Sequence, residues 1–71
     1  MKYIIVTSHD IECAILFDEI LSHTFVADDR KVISAGMCNQ LGEAYGQSVT
    51  LKIKSRPEDT VIIKKSMDRH I

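Results

Sequence analysis

The chain has 71 residues, 45% hydrophobic and 27% charged, with a formal net charge of −1. That length makes a single domain, residues 1–71, with a small core, since a chain of this size buries only about 60% of its unfolded surface. The charge argues against a general nucleic-acid binder, which is clearly basic, and no apolar run approaches the roughly 20 residues of a membrane-spanning helix.

The first predicted element is a strand over Lys2–Thr7, rich in β-branched and aromatic residues. Ser8, His9 and Asp10 form a turn. Ile11 to Leu16 predicts a second strand, with Ile11, Cys13 and Ile15 on one face and Glu12 and Ala14 on the other. The short link makes the two an antiparallel hairpin. Asp18 is the expected N-cap of a short helix from Glu19 to Ala27, with Ile20, Leu21, Phe25 and Val26 as its apolar face. Phe17 and Phe25 are expected in the core. Asp28-Asp29-Arg30 is a polar link.

Lys31–Met37 predicts a third strand. Cys38 to Gly46 reads as a long turn or one helical turn, punctuated by Gly42 and Gly46. Val49–Ile53 predicts a fourth strand, because Val49, Leu51 and Ile53 alternate with Thr50 and Lys52. The last helix is expected from Pro57 to Met67 or His70. Ser55-x-x-Glu58 fits a capping box and Pro57 falls in the first turn. Val61 and Ile62, with Met67, supply its packing stripe, and Lys64, Lys65 and Arg69 suit its negative end.

These elements give an α+β fold in ββαββα order. The economical arrangement is a four-stranded antiparallel sheet with both helices on one face. The other face would then be open and carry Ser48, Thr50 and Lys52. A mixed apolar and polar face of that kind suggests an interface. Small folds gain stability from disulfides, metals or self-association. Cys13 and Cys38 match no metal-binding or CxxC spacing and read as free thiols in a reducing cytoplasm. The expectation is therefore a soluble cytoplasmic homo-oligomer. Tyr3-Ile4-Ile5-Val6 is too short for a signal-peptide core, so none is expected.

Charge is unevenly spread. Residues 1–36 carry six acids and three cations, a balance of −3, and residues 37–71 carry four acids and six cations, a balance of +2. A bipolar chain can associate head to tail or present a basic face to an anion.

The densest chemistry lies in Lys52-Ile53-Lys54-Ser55-Arg56-Pro57-Glu58-Asp59. Lys52, Lys54, Ser55 and Arg56 gather before a helix start, where backbone N–H groups favour anions. An ordinary helix cap explains the same residues, and Glu58 and Asp59 oppose a bound anion. Tyr45, in the loop before the fourth strand, can stack on a base or cap a neighbouring subunit, although one accessible tyrosine does not make a stacking platform. Ser34-Ala35-Gly36-Met37-Cys38 contains a glycine that marks a bulge or a close approach. Cys38 would be a nucleophile only with a base beside it, and no motif ties His23 or His9 to it. The histidines are scattered, so no metal is expected. No phosphate-binding glycine loop is present, and no cofactor is implied.

Val32-Ile33-Ser34-Ala35-Gly36-Met37-Cys38 and Tyr45-Gly46-Gln47-Ser48-Val49-Thr50-Leu51-Lys52-Ile53-Lys54-Ser55-Arg56-Pro57-Glu58-Asp59 resemble small uncharacterised proteins encoded by phages and prophages. The resemblance covers about half the chain and transfers no activity. It implies a protein that occupies a host protein or sequesters a host signalling molecule. The function expected on these grounds is a non-enzymatic binding module for a small anionic ligand such as a nucleotide. The alternative is a module that inhibits or adapts a host protein. A small enzyme using Cys38 or His23 is the third reading.

Overall fold

Tyr3, Ile4, Ile5 and Val6 are all buried, although successive strand residues point to opposite faces. A strand with this pattern has to be covered on both sides. The computed structural model, which describes residues 1–68, shows how that is done.

The order is β1 (Lys2–Ser8), β2 (Ile11–Phe17), α1 (His23–Ala27), β3 (Val32–Cys38), β4 (Ala44–Tyr45), β5 (Gln47–Ser48), β6 (Ile53–Lys54) and α2 (Asp59–Asp68). Strands β2-β1-β3-β4 form a four-stranded antiparallel sheet, and β5 and β6 form a separate two-stranded ribbon. The architecture is α+β. The ββαββα order holds only loosely, because the second β unit is broken into short pieces.

His9 and Asp10 both have positive φ, 53° and 63°, which is the hairpin turn that matches strand twist. It fixes the register of β1 on β2 from Ser8↔Ile11 to Lys2↔Phe17. On the other side of β1 the register shifts between Ile5 and Val6, so Ile33 is the extra residue of a bulge in β3.

The helices lie on opposite faces, contrary to the one-face arrangement expected from the sequence. Ile4, Val6, Phe17 and Ala35 pack with Ala27 of α1, and Leu51 and Ile53 close that side. Tyr3, Ile5 and Cys38 pack with Ile63 of α2, flanked by Ile62 and Met67. The expected open sheet face is therefore filled, and Ser48, Thr50 and Lys52 belong to the ribbon instead.

Helix α1 begins later than expected. Asp18 Oδ1 accepts from the Ile20 backbone N–H at 2.9 Å, which closes a local turn in place of a helix cap. Ser22 is the N-cap, and its hydroxyl accepts from Phe25 N at 3.0 Å. His23 and Ala27 then face inward. Ile20 and Phe25 face out, 88% and 72% exposed, so of the expected apolar face of Ile20, Leu21, Phe25 and Val26 only Val26 packs on the core, and Phe25 is not core.

The expected strand over Val49–Ile53 is also absent. The fourth strand is β4, and Val49–Lys52 is the turn joining β5 to β6. Gly46, at φ 74°, redirects the chain after β4. Ser48 Oγ accepts from Leu51 N at 3.2 Å and so closes the ribbon turn where the alternation suggested a strand.

The start of α2 is capped one position beyond the expected box. The Asp59 carboxylate, not Glu58, reaches back to the Arg56 backbone N–H at 2.9 Å. Ser55 Oγ donates to Gly46 O at 2.8 Å and does not cap the helix. The expected extension of this helix to His70, with Arg69 in its last turn, lies outside the described residues.

Candidate functional site

Lys52 and Lys54 stand on the ribbon and line one open groove of about 340 Å³ with Gln47, Ser48 and Val49. Lys54 pairs with Gln47 across the ribbon. Lys52 has φ 58°, a left-handed conformation that a long side chain rarely adopts. Among the described residues neither lysine takes part in an ion pair. Their cationic heads are thus available to an anion.

Arg56 is differently placed. Its Nε donates to Asp59 Oδ1 at 2.9 Å and an Nη donates to Glu12 Oε1 at 2.7 Å. Burial opposes its charge, but the bonds to Glu12 and Asp59 outweigh burial and hold the guanidinium above its ordinary value. Arg56 ties α2 to β2. Ser55 ties the base of the ribbon to Gly46 through both its hydroxyl and its backbone N–H.

Tyr45 is half exposed and belongs to a separate cleft of about 610 Å³, bordered by Met1, Glu19, Cys38, Gln40 and Met67. The structure thus joins Lys52 and Lys54 in one groove. Ser55 and Arg56 fall in the adjoining framework, and Tyr45 lies in a different depression.

Asp59 organises that framework and was not singled out by the sequence. It is fully buried. Its Oδ2 accepts from Tyr3 Oη and Arg56 N, and its Oδ1 accepts from Ser34 Oγ and Arg56 Nε. A buried carboxylate is tolerated only when hydrogen-bonded and paired, and here both oxygens are. The available signal was a tyrosine and a serine within otherwise apolar strands, each of which needs a polar partner once buried.

Gly36 explains how the ribbon reaches the sheet. A side chain at this position would meet Tyr45 O at 2.6 Å and Ser55 Cβ at 3.3 Å. Its role is close approach, while the bulge lies at Ile33.

Cys38 and His23 do not form a catalytic pair. Cys38 lies in the core under α2, and burial pushes its thiol up. A nucleophilic cysteine needs the opposite shift. His23 is buried, packs edge-on against Phe17 at 5.4 Å, and donates from Nε2 to Gly36 O at 2.9 Å. Among the described residues no three His, Cys, Asp or Glu side chains gather as a metal site. No described helix is long and apolar enough to cross a membrane.

Comparison with known protein families, curated proteins and solved structures gives no match.

Proposed function

We propose that the chain is a non-enzymatic, homo-oligomeric binding module that takes a small anionic ligand, with a nucleotide as the favoured class. One observation carries this reading. Lys52 and Lys54 converge on the same groove without an internal ion-pair partner among the described residues. The backbone at Lys52 supports it further, since an unfavourable φ concentrates at functional positions. Gln47 and Ser48 supply polar neighbours for the same ligand. Ser55 and Arg56 follow Lys54 directly and anchor the ribbon to Gly46 and the start of α2 to Glu12. The lysine groove is proposed without Tyr45. Sequestration of a host signalling nucleotide is the biological setting that fits the phage resemblance.

A second reading is a protein–protein module acting on a host protein. It rests on Ile20, Phe25 and Val49, which are 88%, 72% and 77% exposed. Large apolar side chains left in water in a chain this small favour a contact surface.

Native mass spectrometry of the purified protein, with a denatured control, tests the first reading. Extra mass lost on denaturation identifies a bound ligand and its class. Titration with nucleotides then compares the natural chain with a Lys52→Ala, Lys54→Ala variant. Loss of two charge-assisted contacts weakens binding by about tenfold or more. Unchanged nucleotide affinity in that variant removes the lysine groove as the site. A clean oligomer that binds no anion moves the assignment to the protein–protein reading.

A further inference from the structure

The two edges of the main sheet differ. One edge is β4, only two residues long, and short edge strands resist pairing with other chains. The other edge is β2, seven residues long, Ile-Glu-Cys-Ala-Ile-Leu-Phe. It has no proline, glycine or lysine, and its register on β1 is unbroken. Its single charge, Glu12, is bonded to Arg56 at 2.7 Å. Apart from Glu12 and the packing of α2 against β2, it carries none of the usual protections of an edge strand among the described residues.

The hairpin geometry specifies which groups on this edge are unpaired. A two-residue turn makes Ser8 and Ile11 a hydrogen-bonded pair, and such pairs alternate along an antiparallel ladder. Cys13, Ile15 and Phe17 therefore also bond inward to β1. The backbone N–H and C=O groups of Glu12, Ala14 and Leu16 point outward. Among the described residues no backbone bond outside the β1–β2 ladder reaches them.

We propose that β2 pairs antiparallel with β2 of a second copy about a two-fold axis at Ala14, which joins two four-stranded sheets into one. The proposal rests on the homo-oligomer part of the function proposed above and names its interface. The outward set is self-complementary. Ala14 meets Ala14 of the second copy, and Glu12 meets Leu16, each pair exchanging two hydrogen bonds. The two Glu12 residues are never opposite each other, so no like charges face across the junction. Cys13 meets Ile15 on the α1 face, an apolar pair between two half-buried side chains. Ala14 at the axis keeps the α2 face free of bulk where the two copies come closest.

Hydrogen exchange of individual amides across a concentration series, run beside analytical ultracentrifugation, tests this on the natural chain. The expected result is a dimer in which the Glu12, Ala14 and Leu16 amides are protected and lose protection on dilution. An oligomer whose three edge amides exchange freely overturns the β2 interface and leaves the oligomer reading standing. A monomer at every concentration overturns both. Ala14→Pro removes one outward N–H and no inward bond, so it is expected to give a folded monomer. Ile15→Cys provides a check that needs no loss of structure. Opposed residues about 4.5 Å apart at Cα are within disulfide reach, so Cys13 should cross-link to the new cysteine of the second copy under oxidised glutathione. A variant that stays uncrosslinked while dimeric counts against the register.

Discussion

The Tyr3 hydroxyl donates to Asp59 Oδ2 at 2.5 Å, and this bond fastens the first strand to the first turn of the last helix. Ser34 and Arg56 complete the shell around the same carboxylate. Removing the carboxylate leaves four donor groups, from Tyr3, Ser34 and Arg56, without their acceptor at once. Asp59→Ala is therefore expected to lower unfolding stability by about 3–5 kcal/mol. Tyr3→Phe removes one donor and leaves Asp59 otherwise bonded, for an expected loss of about 1–3 kcal/mol. Urea unfolding of both variants measures the difference. Equal losses would mean that Asp59 is held by Tyr3 alone.

The same pair predicts a response to alkali. Burial, followed by the bond to Asp59 and the proximity of its charge, raises the Tyr3 hydroxyl far above the usual tyrosine value of about 10. The folded chain thus holds this proton more tightly than the unfolded chain. Its contribution is full below pH of about 10 and falls as pH rises past the unfolded value toward the folded one. The natural chain should lose stability above that pH faster than Tyr3→Phe, which has no such proton to lose. Unfolding midpoints of the two proteins between neutral and alkaline pH give the test. Parallel curves would show that Tyr3 ionises as freely folded as unfolded.

At Gly36 the backbone of β3 runs close against Tyr45 of β4 and against Ser55 at the foot of the ribbon. An added methyl group would lie 2.6 Å from a backbone oxygen, which no side-chain rotation relieves. Gly36→Ala is expected to destabilise by about 1–3 kcal/mol, with the chemical-shift changes concentrated at Tyr45, Gly46 and Ser55. Small, dispersed shifts with unchanged stability would contradict the packing of the ribbon on the sheet.

These dependencies show which parts of the structure were readable from the sequence. The β1–β2 hairpin was legible because one dense β-branched segment precedes a two-residue polar turn and a second apolar segment. The two-sided burial of β1 had a signal in Tyr3-Ile4-Ile5-Val6, whose lack of alternation suits a strand covered on both faces, but the expectation of one open sheet face passed over it. Val49 to Ile53 misled because its alternation is genuine while its hydrogen bonds are not those of a strand. Ser48 and Gly46 decide that segment through a side-chain bond and a positive φ. The nearness of Lys52 and Lys54 was legible in the chain order. The separation of Arg56 from them was not, because Arg56 is claimed by Glu12, a residue 44 positions away.

Helix α1 gives a contrast between a cap and an exposed aromatic. Ser22 Oγ satisfies the Phe25 N–H at the start of a helix of five residues. Ser22→Ala should cost about 0.5–2 kcal/mol. Phe25→Ser, at a side chain 72% exposed, should change stability by less than about 0.5 kcal/mol. If Phe25→Ser proves the more damaging substitution at high protein concentration only, Phe25 is buried between copies. Thermal unfolding at two concentrations resolves this.

Lys52 separates stability from binding. A residue with a Cβ in the left-handed region carries about 1–2 kcal/mol of strain that glycine lacks, while glycine loses about 0.5–1 kcal/mol through its freer unfolded chain. Lys52→Ala keeps the strain and removes the charge. Lys52→Gly removes both. The glycine variant is therefore expected to be the more stable of the two, by up to about 1.5 kcal/mol. Both should bind an anionic ligand equally weakly, because the missing ammonium group is common to them. Urea unfolding measures the first comparison and nucleotide titration the second. A glycine variant less stable than the alanine variant would show that position 52 is not left-handed in solution. It would also remove the backbone argument for placing a ligand there.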